Sequence, residues 1–152
     1  MAKVTFTGSV PTGSKIMKSA ADTIKHVTLE LGGKSPLIIF DDADLKNAVK
    51  GALMANFFTQ GQVCSNAARV FVQKGIYDDF LREFVKQANK MKIGDPFNED
   101  TTVGATISKE HAEKVLGYVK SAIDEGAKIE CGGERVVLDG TFPKSSHFSI
   151  FS

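Results

Sequence analysis

The stretch Ile24-Lys25-His26-Val27-Thr28-Leu29-Glu30-Leu31, Gly32-Gly33-Lys34-Ser35-Pro36, Leu37-Ile38-Ile39-Phe40 holds two different strand patterns on either side of a glycine break. In the first, Val27, Leu29 and Leu31 alternate with His26, Thr28 and Glu30, the period of a half-buried strand. Glu30 therefore lies on the face opposite the packed one. In the second, residues 37–40 are continuously apolar, as expected of a parallel-sheet strand covered on both faces. Gly32-Gly33 ends the first strand, and Ser35-Pro36 opens the second.

The same alternation continues outward. Asp41, Asp42 and Asp44 place acids at a helix start, where they cap free amides and meet the positive end of the dipole. The helix buries Leu45, Ala48, Val49, Ala52, Leu53 and Phe57, at a period near that of an α-helix. Residues 68–73 read as the next strand, and Ile76, Phe80, Leu81, Phe84, Val85, Ala88 and Met91 as a second amphipathic helix. Gly94-Asp95-Pro96 stops anything helical. Ser108 caps a third helix with a stripe of Ala112, Val115, Leu116, Val119, Ala122 and Ile123, ended at Gly126. Residues 127–131 read as a strand with Gly132-Gly133 as its turn. Upstream, Val4-Thr5-Phe6 is a strand closed by Thr7-Gly8-Ser9, and Pro11-Thr12-Gly13 leads into a helix reaching about residue 21. Strand and helix in alternation predict an α/β fold with a parallel, helix-covered sheet. Residues 141–152 have no clear period, and no structure is assigned there.

Bulk properties narrow the function. At 152 residues and 42% hydrophobic content the chain can build a core. Its net charge of +1 argues against nucleic acid or an anionic membrane as partner. No apolar run approaches the roughly 20 residues of a membrane span. Two cysteines, Cys64 and Cys131, in a chain with no recognisable signal peptide predict free thiols and a cytoplasmic protein. His26, His111 and His147 do not cluster with them in sequence, so no metal site is expected.

Two glycine loops invite a phosphate-loop reading and fail it. Gly8 and Gly13 have the right spacing, but the residues that follow are Ser14-Lys15, the reverse of the required order. Gly33-Lys34-Ser35 lacks the earlier glycine, its place being held by Thr28. Two readings of residues 8–13 stay open. One is a tight turn; the other is a set of amides at a helix start that receives a phosphate or diphosphate.

Cys64, in Gly61-Gln62-Val63-Cys64-Ser65-Asn66, is either a small core hydrophobe or a nucleophile. Residues 59–66 are polar and lie between a helix and a strand, where a thiol is reachable and turn amides can hold an oxyanion. Glu30 is either a solvated face residue or the base such a thiol chemistry needs. Two glycines after it let a ligand approach the backbone. Arg69 reads as an ion-pair or cap donor, and Cys131 as packing.

These residues together resemble the aldehyde dehydrogenase superfamily, most closely its betaine-aldehyde and trimethylaminobutyraldehyde branch. The resemblance runs over residues 2–133. It rests on Phe6-Thr7-Gly8-Ser9, on Val27-Thr28-Leu29-Glu30-Leu31-Gly32-Gly33-Lys34-Ser35-Pro36, on Gly61-Gln62-Val63-Cys64 with Asn66 and Arg69, and on Ile93-Gly94-Asp95-Pro96. It implies catalytic roles for Cys64, which attacks an aldehyde, and for Glu30, which activates the water that hydrolyses the thioester. It implies NAD, or NADP, as cofactor. Gly8, Ser9, Val10, Pro11 and Thr12 would meet its diphosphate and neighbouring groups, and the Leu31 backbone its nicotinamide.

The resemblance divides the chain into 1–31, the end of a cofactor domain; 32–140, the start of a catalytic domain; and 141–152, a tail unlike the family. Family members are much longer, so an internal piece of a homo-oligomeric parent is expected. The chain departs from the family at Gly104-Ala105, where relatives have Gly-Pro, and at Ala67 and Ala68 before Arg69. The partner implied is a small-molecule aldehyde. Two other functions stay open: a non-catalytic protein that docks on a full-length relative, and a cofactor-free thiol esterase.

Overall fold

The computed structural model describes residues 1–136. In chain order it holds β1 (Lys3–Gly8), α1 (Val10–Ala21), β2 (His26–Leu31), β3 (Pro36–Ile39) and α2 (Leu45–Phe57). A 3-10 turn (Phe58–Gly61), β4 (Arg69–Val72), α3 (Tyr77–Ala88) and α4 (Lys109–Asp124) follow. The helices start where short polar side chains can accept from first-turn amides. Ser9 Oγ accepts from Thr12 N, Asp44 Oδ1 from Asn47 N at 2.8 Å, and Ser108 Oγ from His111 N at 3.1 Å.

Strand pairing is parallel throughout, as the strand–helix alternation predicts. Among the described residues the strands form two sheets of two, β1 with β2 and β3 with β4, rather than one continuous sheet. Each pair flanks its crossover helix, α1 in the first and α2 in the second.

The core lies on one side of the β3–β4 pair. Ile39, Val49, Ala52, Phe57, Phe80, Phe84, Ala88 and Val103 are buried together, with Leu37, Val70 and Val72 packed against them. Phe84 sits at its centre, its ring 5.6 Å from Phe80 and 5.9 Å from Phe57. The spacing of α2 and α3 therefore delivers its stripes to a single core, each buried aromatic contributing up to about 3 kcal/mol of apolar burial.

Two expectations are corrected. The continuous apolar run 37–40 is covered on one face only: Ile38, Phe40 and Phe71 are 59%, 62% and 55% exposed. Ile38 and Phe71 are register partners on that open face, and no described element packs on it. Residues 127–131 do not form a strand. Among the described residues no strand pairs with them; Ala127 N instead bonds Ala122 O behind the helix, and Cys131 packs on the core. The tail 141–152 lies outside the described residues.

Candidate active site

The first part of the site is the end of the β1–β2 ladder. Gly8 and Leu31 are register partners at the carboxyl ends of two parallel strands, and Thr7 and Glu30 pair one step earlier. Ligands of open α/β sheets bind outside the carboxyl ends of the strands. Just beyond Gly8, helix α1 opens with Ser9, Val10, Pro11 and Thr12 all exposed. No acidic residue occupies its first turn, so the partial positive charge there is left for an anion. A β-carbon at Gly13 would lie 2.8 Å from Leu31 Cδ2, and one at Gly8 would meet the Phe6 ring at 2.5 Å. Gly13 thus lets α1 seat closely on the end of the ladder, and Gly8 leaves room for the Phe6 ring of its own strand. The residues present fit a dinucleotide's diphosphate.

The second part is the loop from α2 to β4. Thr59 and Gln60 have φ of 50° and 55°, followed by Gly61 at 73°. A left-handed backbone at a β-branched residue costs about 1–3 kcal/mol and persists only where neighbours enforce it. Here Gln62 N donates to Thr59 O at 3.0 Å. The Gln60 side-chain amide lies between Thr59 O, at 3.2 Å, and Gly104 N, at 3.1 Å; assigned with its nitrogen toward the carbonyl and its oxygen toward the N–H, the orientation that satisfies both, it donates to Thr59 O and accepts from Gly104 N. On the far side of the loop Asn66 Nδ2 donates to Asn56 O at 3.4 Å, and Ala67 N to Ala55 O at 3.1 Å. Between these two anchored feet stands Cys64, exposed to solvent.

Glu30 is exposed at the penultimate position of β2. Three residues on, a β-carbon at Gly33 would lie 3.9 Å from the Cys64 carbonyl oxygen. The turn after Glu30 and the cysteine loop are thus in contact distance. Arg69 begins β4 and is exposed, its backbone N–H donating to Ser35 O at 3.4 Å. Cys131 differs in kind from Cys64. It is half-buried, and burial, with the charge of Glu130 second, pushes its thiol up from the usual range. A thiol so placed is a poor nucleophile. Among the described residues no group of three or more His, Cys, Asp or Glu side chains is placed to hold a metal ion. No described helix is long and apolar enough to cross a membrane.

Gln60 was not among the residues singled out from sequence, and Gly104 was singled out only for the Ala105 that follows it. A Thr-Gln pair carries no signal for two consecutive left-handed residues, since neither type favours that conformation. Only Gly61 marks the turn.

A strand-ended glutamate beside a glycine turn, an exposed cysteine on a loop against that turn, and an acid-free helix start next to the same strand end form one arrangement. The chain belongs to the aldehyde dehydrogenase family: the family's sequence pattern matches residues 1–146, further along than the stretches quoted above. It is similar to 4-trimethylaminobutyraldehyde dehydrogenase of Bos taurus, 62% identical over 148 residues, covering 97% of this chain and 30% of that protein. The Rattus norvegicus protein of the same name is 64% identical over 147 residues, covering 97% and 29%. Among solved structures, betaine aldehyde dehydrogenase from Staphylococcus aureus in complex with NAD+ superposes with a TM-score of 0.92 at 43% identity, covering 98% of this chain and 29% of that one. The chain spans about 30% of the length of the curated relatives it matches.

Proposed function

We propose that this chain carries the nucleophile and the water-activating base of an aldehyde dehydrogenase. The exposed Cys64 Sγ, as thiolate, attacks the aldehyde carbon, and the carbonyl oxygen becomes an oxyanion held partly by the Cys64 backbone amide. Glu30 later takes a proton from the water that attacks the Cys64 thioester, releasing a carboxylic acid and the thiol. NAD(P)+, when bound, supplies the hydride acceptor that takes the thiohemiacetal to the thioester level. Gly8, Ser9, Val10, Pro11 and Thr12 would hold its diphosphate side and the Leu31 backbone its nicotinamide. The observation that carries this reading is the contact between the cysteine loop and the Gly33 turn, in a chain with the family's pattern.

The substrate is an aldehyde of the kind named for the relatives, 4-trimethylaminobutyraldehyde or betaine aldehyde. Residues 1–31 form the end of the cofactor domain and 32–140 the start of the catalytic domain, in a cytoplasmic, homo-oligomeric enzyme. The test is NADH formation by the chain given such an aldehyde and NAD+, lost in Cys64→Ala. No NADH from a well-folded chain would overturn catalysis by this chain alone.

A second reading is favoured by the open face at Ile38, Phe40 and Phe71. Such a face suits a non-catalytic role in which the chain docks on a longer relative. Co-purification with that relative supports it; a monomer that binds none speaks against it. Ester turnover without NAD+ would mark the third reading, a thiol esterase.

A further inference from the structure

We propose that Gln60 is a positioning residue for Cys64, strapping the left-handed turn 59–61 to Gly104; this rests on the nucleophile role given to Cys64 above. Three consecutive residues with φ of 50°, 55° and 73° immediately precede the cysteine arch. Strain of this kind relaxes unless something outside the turn opposes it. The Gln60 amide reaches outside. In the amide orientation assigned above, its nitrogen adds a second donor to Thr59 O, the carbonyl that already closes the turn through Gln62 N. Its oxygen takes Gly104 N–H, from a segment distant in sequence.

That segment is a firm support. Val103, next to Gly104, is 1% exposed, its N–H bonds Lys92 O at 3.0 Å, and its carbonyl accepts from Gly94 N at 3.1 Å. Gly104 itself lies so close that a β-carbon there would meet the Gln60 amide at 3.2 Å. The other foot of the arch is tied back to α2 through Asn66 and Ala67. Without the Gln60 strap one foot alone stays fixed, and the Cys64 sulfur and amide lose their mutual orientation.

Acylation by 4-nitrophenyl acetate tests this without cofactor. Cys64 Sγ attacks the acetyl carbon, an S–C bond forms, the ester C–O bond breaks and 4-nitrophenolate leaves, the thiol proton having gone to solvent. This step needs sulfur and oxyanion-holding amide aligned, whereas alkylation by iodoacetamide needs only an accessible thiolate. Both are followed at Cys64 by peptide mapping. In Gln60→Met, similar in length but unable to make either bond, acylation falls on the order of tenfold, as expected for a small misplacement. Alkylation stays within about a factor of two, having no oxyanion to hold. Gln60→Glu keeps the acceptor toward Gly104 and falls less; if Gln60→Met does not fold, Gln60→Glu carries the comparison against the wild type. Unchanged acylation, or equal loss of both reactions, overturns the positioning role. Wild-type acylation no faster than that of a simple thiol overturns the nucleophile reading, and the proposal with it.

Discussion

Gly33 and Cys64 meet across the junction of two loops, a β-carbon on the glycine lying 3.9 Å from the cysteine carbonyl oxygen. Glu30 lies three residues before that glycine, near the end of β2, so the proposed base sits on the segment that meets the cysteine loop, and in the proposed reading the two act on one substrate in sequence. Glu30→Gln should therefore leave acylation of Cys64 by 4-nitrophenyl acetate intact and slow deacylation by about 10²- to 10⁴-fold, the usual worth of a general base. Mass spectrometry would find the acetylated chain accumulating. Equal deacylation rates in the variant and wild type would remove Glu30 from this role.

The two thiols should separate by environment. Cys64 is exposed, whereas Cys131 is half-buried with its thiol pushed up mainly by burial. Iodoacetamide near pH 8 is expected to label Cys64 first and Cys131 chiefly after unfolding. The same shift has a stability consequence. A folded-state thiol raised above its unfolded value stabilises the fold fully below the unfolded value, about 8.5, and this contribution is lost as pH rises through the folded one. Urea midpoints measured upward from pH 8 should fall less steeply in Cys131→Ser.

Phe84 touches both Phe57 and Phe80 and is 8% exposed. Phe84→Ala opens a cavity at the meeting point of α2 and α3, and should cost about 3–5 kcal/mol in urea unfolding. A loss below about 1 kcal/mol would mean the core does not centre there.

On the opposite side of the same strands, Phe71→Lys should behave differently. The ring is 55% exposed, so the substitution gives up little buried area, and the unfolding free energy should change by no more than about 1 kcal/mol. Light scattering should show less self-association, because the variant breaks the apolar patch that Phe71 forms with Ile38 and Phe40.

Much of this architecture is legible in the residues themselves. The Asp44 and Ser108 caps and the stripes of α2, α3 and α4 follow from local chemistry and are found near their expected places, except that Ile123 is 50% exposed; Ser9 reads from sequence only as part of the turn after the first strand, not as a cap. The parallel pairing follows from strand–helix alternation. Coverage of residues 37–40 was not legible, because a continuous apolar run reports what a strand is suited to meet, not whether anything meets it. Residues 127–131 have the composition of a strand, yet a strand needs a neighbour to bond. In the candidate site, Cys64 and Glu30 stand out by type and by their glycines, whereas Gln60 acts through a backbone conformation its own residue type does not announce.

Each two-stranded ladder has two outer rims of backbone amides and carbonyls that no described strand engages. In the β3–β4 pair those rims border the greasy surface at Ile38 and Phe71, which joins directional bonding to non-directional adhesion in one place. An open edge of this kind is a template on which a strand of another chain can pair. The protein's handling in the test tube will depend on dilution and on the company it keeps, and a binding partner that supplies a strand there should raise its melting temperature more than a small ligand does.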